Sequence, residues 1–149
     1  MTLQDETRAV RLSSFGWMAQ RLVADLDRQM AVELEELGLT MAKFPLIMMV
    51  SELGPVTQAD IARRFSRPAY SISRSLDDLV KDGLLERRPH PTSRRAHEIV
   101  ATPKGQALAP KLHDIVRRVN ARVLSPLSPE EQQQITLLME KLVPNEDRY

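Results

Sequence analysis

The chain has 149 residues, ten of them proline, five glycine and none cysteine. That length fits one domain, or one compact unit with an appended oligomerisation element, and the lack of cysteine excludes a disulfide framework, a thiolate metal site and a thiol redox switch. The net charge of +1 hides an uneven distribution: Arg63, Arg64, Arg67, Arg74, Lys81, Arg87, Arg88, Arg94 and Arg95 face Asp77, Asp78, Asp82 and Glu86, a local +5 that leaves −4 for the rest. A basic centre between acidic flanks is the pattern of a polyanion site, and equally of a solvated charged surface. Apolar residues at 42% and charged residues at 28% are an ordinary globular balance, while 4% aromatic residues are too few for the stacking platforms of single-strand binders. No apolar run approaches the roughly 20 residues of a membrane span. The opening Met1-Thr2-Leu3-Gln4-Asp5-Glu6 is polar and acidic, unlike a signal peptide. A cytoplasmic protein with no membrane partner is expected.

From about Asp5 to Glu36, the residues Phe15, Met18, Leu22, Leu26, Met30, Leu34 and Leu37 recur every three or four positions, which predicts one long helix stopped by Gly38. About 30 residues at 1.5 Å each make a rod of roughly 45–50 Å. The short helices that follow cannot cover it, so a second copy of the chain is the expected partner. Thr40 is a candidate cap for a helix reaching Glu52, and Pro45 predicts an irregular or late start to it. Thr57-Gln58-Ala59-Asp60 reads as a capping box in which Asp60 replaces the usual Glu or Gln, opening a short helix to about Arg64. Phe65-Ser66-Arg67 reads as a tight turn. Pro68 opens the next helix, with Ile72, Leu76 and Leu79 on its apolar face and Gly83 at its end. Two short helices joined by such a turn have the spacing of a helix-turn-helix.

Beyond Gly83 the period changes. Leu84–Arg88 and His97–Ala101 are short extended segments around a basic tip, His90–Ala96. Thr102-Pro103 starts another helix, whose stripe is Leu108, Leu112, Ile115, Val119 and Val123 and which Pro110 is expected to interrupt and kink. Ser128-Pro129-Glu130-Glu131 starts the last helix, with Ile135, Leu138, Met139 and Leu142. The predicted architecture is mainly α with a small β-hairpin wing (α+β): five or six helices, a winged helix flanked by long terminal helices.

The chemistry excluded is broad. Gly16, Gly38, Gly54, Gly83 and Gly105 form no phosphate-cradling cluster, and His90, His97 and His113 lack metal-ligand spacing. There is no G-x-S-x-G elbow. Glu35-Glu36 and Asp77-Asp78 read as solvated helix faces. No catalytic residue, cofactor or metal ligand is assigned, and no enzyme is expected.

The stretch Leu39–Gly105 resembles the MarR (multiple antibiotic resistance regulator) family of winged-helix transcription factors. The resemblance rests on an ordered set: Gly38-Leu39-Thr40, Val56–Ala62, Ser73–Leu79, Gly83–Arg88, Ser93–Ala96 and Ala101–Gly105. It implies a homodimer built from the terminal helices, bound to a pseudo-palindromic operator in double-stranded DNA and often released by a small organic effector, frequently aromatic or acidic. On this reading 1–38 is an N-terminal dimerisation helix, 39–102 the winged helix-turn-helix unit and 103–149 the C-terminal dimerisation helices. Two departures stand out. The family's wing usually carries an Asp two residues before its tip arginine. Here Ser93 precedes Arg95, and a serine cannot form the ion pair that orients a guanidinium. The peroxide-sensing branch uses a cysteine in its first helix, and this chain has none.

Within this frame the start of the second short helix enters the major groove, and Arg67, Pro68, Ala69, Tyr70, Ser71, Ser73 and Arg74 are the candidate DNA-binding residues there. Arg74 suits a guanine or a phosphate. Tyr70 alternatively only packs. Arg94 and Arg95 on the hairpin suit a narrow minor groove, or else belong to a solvated loop. Arg63, Arg64 and Arg67 are backbone neutralisers, and of Arg87 and Arg88, on opposite faces of a strand, one reaches DNA. Phe15 and Trp17 pack in the core or dimer, or Trp17 lines a pocket between the dimer helices and the DNA-binding unit. No effector-binding residues are assigned. The expected function is a ligand-responsive repressor. A regulator answering to a protein partner, or to no ligand, is a variant of it. The alternative from another class is a winged-helix protein–protein adaptor, against which the nine cations argue, because interaction surfaces deplete lysine and keep few charges at their core.

Overall fold

The single helix predicted from about Asp5 to Glu36 is two helices, α1 (Leu3–Ser13) and α2 (Phe15–Glu35), and the apolar stripe from Phe15 to Leu34 lies wholly on the second. Ser14 makes the break. Its backbone is extended, its N–H returns to the Arg11 carbonyl at 3.2 Å, and its hydroxyl accepts from the Trp17 N–H at 3.3 Å. One residue thus ends the first helix and caps the second, a competition with the helical ladder for which serine is suited. At 21 residues α2 spans roughly 32 Å. The turn after it closes at Gly38, where φ of 68° is free of Cβ strain and the Leu39 N–H reaches back to the Leu34 carbonyl at 3.0 Å. The computed structural model describes residues 1–65 and 69–143.

Next comes α3 (Phe44–Leu53), which starts late, as Pro45 required. Thr40 does not cap it. Thr40 offers its backbone carbonyl to the Lys43 and Phe44 N–H groups at 3.1 and 3.0 Å, while Lys43 holds the cap position without a side-chain bond. The box at α4 (Gln58–Arg64) forms as expected: Thr57 Oγ accepts from the Asp60 N–H at 3.1 Å, and the Asp60 carboxylate accepts from the Thr57 N–H at 3.3 Å. In α5 (Ala69–Lys81), Ile72, Leu76 and Leu79 are fully buried against Ile61 of α4 and the core. The expected turn at Ser66-Arg67 and start at Pro68 lie outside the described residues.

The hairpin strands are β2 (Leu85–Pro89) and β3 (His97–Ala101). A third strand, β1 (Val56–Thr57), adds to the far side of β3 in the antiparallel order β1-β3-β2, pairing Val56 with Ile99 and Thr57 with Glu98. Two residues are too few to carry a strand period, so nothing in the sequence announced it. Leu85 and Ile99 point into the core while Glu86 and Arg88 face water. Thr102 caps α6 (Pro103–Leu124), which runs through Pro110 without the expected interruption. That proline faces solvent and costs a single backbone bond. The last helix, α7 (Pro129–Leu142), opens on a capping box between Ser128 and Glu131. The seven helices among the described residues exceed the five or six expected, because the predicted first helix is two. The core joins the C-terminal part of α2, α3, α4, α5, the sheet and α6. In contrast, α1 and α7 contribute no buried residue.

Candidate nucleic-acid interface

Burying Ile72, Leu76 and Leu79 turns the opposite face of α5 to water. On that face Tyr70 is 78% exposed and Arg74 is exposed, while Ser71 and Ser73 lie half-buried on its flanks. At that exposure Tyr70 is not a core side chain among the described residues. Ala69 opens the helix, and Arg67 and Pro68 lie outside the described residues. The exposed start of α5 presents a ring hydroxyl, two serine hydroxyls and a guanidinium, a set able to meet base edges and phosphate oxygens.

At the wing, the His90 N–H bonds the Ala96 carbonyl at 3.2 Å, and the Thr92 N–H donates to His90 Nδ1 at 3.2 Å. These bonds shape a tip on which Arg94 and Arg95 are exposed and, among the described residues, free of ion pairs. Ser93 makes no bond to Arg95. Tip cations without carboxylate partners keep their charge available to a polyanion.

Both strand arginines, of which one is expected to reach DNA, already have a carboxylate partner. Arg87, half-buried, donates to the Asp77 carboxylate of α5, and Arg88 pairs with Glu86 at 3.3 Å. The acids Asp77-Asp78 are likewise no merely solvated pair, since Asp78 and Asp82 stand 3.6 and 3.8 Å from Lys43 Nζ. Of the expected backbone neutralisers, Arg63 is tied to Asp60. Hydrogen bonds from the Thr57 hydroxyl and N–H, assisted by the charge of Arg63, hold the Asp60 carboxyl below its ordinary range.

The far end of α5 is clasped by the first turn of α6. Thr102 Oγ donates to the Gly83 carbonyl at 2.6 Å, and Lys104 Nζ donates to the Asp82 carbonyl at 2.9 Å. Gly105 sits so close that a Cβ there would be 2.1 Å from the Leu84 carbonyl oxygen. Reading residues as caps and stripes did not show this clasp. The signal was present in Thr102-Pro103-Lys104-Gly105, whose glycine falls in the first turn of a helix and so cannot be a stop.

Away from these surfaces, α2 and α7 enclose an apolar groove of about 570 Å³ lined by Phe15, Met18, Leu22, Leu26, Ile135 and Leu138 among others. Trp17 does not line the pocket that is its alternative reading. It is partly exposed in a groove with Leu12 and Arg21, with the Arg11 guanidinium 5.0 Å from its ring centroid, and not between the helices and the DNA-binding unit. Among the described residues there is no cluster of metal-ligating side chains, and no helix is long and apolar enough to cross a membrane.

The model of the MarR family matches residues 37–96. The HTH-type transcriptional repressor Rv2887 of Mycobacterium tuberculosis is 30% identical over 127 residues, covering 85% of this chain and 91% of the repressor. Its crystal structure in complex with DNA superposes with a TM-score of 0.79 at 28% identity, covering 89% of this chain and 99% of that one. A second structure of it, in complex with salicylic acid, gives 0.75 at 29% identity, with coverages of 88% and 97%. Reduced MarR from E. coli shares the fold, with a TM-score of 0.82 at 23% identity over 88% of this chain and 97% of that one.

Proposed function

This chain belongs to the MarR family of DNA-binding transcriptional regulators, which are not enzymes, and from that premise we propose how it binds. It acts as a repressor on a pseudo-palindromic operator, as a homodimer that places the start of each α5 in the major groove and each wing in the minor groove. Arg67, Pro68, Ala69, Tyr70, Ser71, Ser73 and Arg74 make the helix contacts, and Arg94 and Arg95 the wing contacts. Residues 39–102 form the DNA-binding unit. Residues 1–38 and 103–149 form the dimer, with the two recognition helices roughly 34 Å apart, one DNA turn.

The observation that carries this reading is the pairing state of the arginines. Arg74, Arg94 and Arg95 are exposed without carboxylate partners among the described residues, whereas Arg63, Arg87 and Arg88 are neutralised. The dimer is supported by the apolar groove of α2 and α7, which one copy leaves open to water. The test is a titration of the fragment upstream of the chain's own gene across a salt series. Arg95→Ala should make the slope of log affinity against log salt shallower by about 0.9 and weaken binding by roughly 1–3 kcal/mol. Arg74→Ala should also relax sequence preference. An unchanged slope and affinity for Arg95→Ala would remove the wing from the interface. A wild-type chain showing no tight, salt-dependent complex would remove the operator.

The same reading includes a small organic effector, aromatic or carboxylated, that alters DNA affinity through a coupling of about 1–3 kcal/mol. The salicylic acid complex of the Mycobacterium repressor supports that chemical class. A panel of aromatic acids that moves neither the melting temperature nor the DNA affinity would overturn it.

A further inference from the structure

Along α5, Tyr70, Arg74, Asp77 and Lys81 recur at helical spacing on the exposed face, so Asp77 lies one turn beyond Arg74 on the side proposed above to meet DNA. A bare carboxylate there would repel phosphates. It is not bare: Arg87, from the base of the wing strand β2, donates to it. The Arg87 side chain is 31% exposed and Asp77 61%, so the guanidinium is held between strand and helix and is not extended toward solvent. This is the only ion pair among the described residues that joins α5 to the wing. At the tip, Ser93 stands where an acid would otherwise orient Arg95.

We propose that Asp77 and Arg87 are positioning residues. Their ion pair braces the wing against the recognition helix and so sets the angle at which Arg94 and Arg95 approach the minor groove while Tyr70 and Arg74 lie in the major groove. Arg87 does not contact DNA. Because the tip has no acid of its own, this brace at the base is what limits the wing's swing. The pair is also nearly neutral toward the duplex, which removes the repulsion Asp77 would otherwise exert.

The proposal rests on the DNA-binding reading for its consequence but not for its geometry, and two measurements keep them apart. The chain has no cysteine, so Ser93→Cys with Lys81→Cys gives two clean spin-label sites on the free protein. The distance distribution between them should broaden in Asp77→Asn and in Arg87→Gln. It should narrow again in the charge-swapped Asp77→Arg/Arg87→Asp protein, with melting temperatures near wild type throughout. A distribution that Asp77→Asn leaves unchanged overturns the brace, whatever the protein does with DNA. The second measurement uses the same upstream fragment. Removing a negative charge from a DNA-facing surface must tighten binding if charge alone matters, and more so if Arg87 is thereby freed to reach a phosphate. The brace predicts the opposite sign for Asp77→Asn, a weakening of about three- to tenfold, in keeping with the modest worth of a half-exposed pair. Tighter binding with a slope steeper by about 0.9 would make Arg87 a phosphate contact and overturn the proposal. If the distribution broadens while the wild-type chain binds no DNA, the brace stands and the operator reading falls.

Discussion

Between the α2–α3 turn and the wing, the apolar positions are satisfied inside one copy of the chain: Leu46, Ile47, Ile61, Ile72, Leu76 and Ile99 are at most 1% exposed. At the two ends, positions with the same helical spacing are not. Phe15, Met18, Leu22, Leu138, Met139 and Leu142 remain between 41% and 62% exposed. The same three-to-four-residue period thus describes a core in one region and an unsatisfied face in the other, and α2 crosses from one to the other along its length. Periodicity reports that a helix has an apolar side. It does not report whether the covering surface lies on the same chain.

The largest expected effects test that contrast directly. Leu76→Ala opens a cavity in the closed region and should cost about 2–5 kcal/mol of unfolding free energy at any protein concentration. Leu138→Glu places a charge on the open face. It should leave a folded single copy but abolish dimerisation, with DNA affinity falling on the order of a hundredfold or more because two half-sites are no longer bound together. Sedimentation and melting at several concentrations separate the two. A Leu138→Glu protein that stays dimeric and binds DNA as wild type does would show the end face to be idle.

Gly105→Ala comes next. The added Cβ meets a backbone carbonyl, Leu84 O at 2.1 Å, which cannot rotate aside as a side chain can. The first turn of α6 and the end of α5 must therefore separate, costing about 1–3 kcal/mol. Alanine is otherwise the better helix former, so on a helix without that close approach the same change would stabilise. A raised melting temperature in Gly105→Ala would mean that the clasp on α5 is loose.

Much of this was legible in the residues. The capping boxes at Thr57 and Ser128, the left-handed stops at Gly38 and Gly83 and the buried stripe of α5 are local signals. Each needs only a few neighbouring side chains and the backbone donors they satisfy. The failures are of two kinds. Ser14 lies inside the predicted Asp5–Glu36 helix just ahead of its apolar stripe, and its local bonds end one helix there and start another. β1 and the Asp77–Arg87 and Lys43–Asp82 pairs depend on where distant segments meet, which spacing cannot encode. Of the helix and wing residues named from the resemblance, Tyr70, Arg74, Arg94 and Arg95 fall on exposed surfaces, but the resemblance could not say which arginines are already neutralised.

A smaller effect sharpens the same comparison, because one motif occurs in both regions. Thr57 and Thr2 each cap a helix in a box with an aspartate three residues on. The helix after Thr57 buries Ile61, whereas the helix after Thr2 buries nothing. Thr57→Ala should lower unfolding free energy by about 1 kcal/mol. Thr2→Ala should leave the cooperative transition unmoved, since fraying of α1 is not coupled to the core. Equal shifts in melting temperature would mean that α1 unfolds with the rest.

The smallest expected effect lies where α2 meets α6. Glu33 accepts hydrogen bonds from Arg118 at 2.7 Å and Arg122 at 2.9 Å, and Arg122 also reaches Gln29 at 3.2 Å. The Arg118 bond, then the Arg122 bond, hold the Glu33 carboxyl below its ordinary value of 4.5. A carboxyl with a lowered folded-state pKa binds its proton more readily in the unfolded chain. Its contribution is therefore fully present above the ordinary value and fades as pH falls through the lowered one. Glu33→Gln keeps the shape and an acceptor oxygen but cannot carry the charge. Its melting temperature should sit slightly below wild type at pH 7, and the gap should close on acidification below about pH 4.5, where protonation makes the two side chains alike. Asp60 is lowered as well and bends the same acid limb in both proteins, so the difference between them isolates Glu33. Added salt should narrow the gap at pH 7, because the arginines are half-exposed. A gap that stays constant from pH 7 to pH 3 would mean that the cluster acts through packing, and that charge does not hold α2 to α6 at this point.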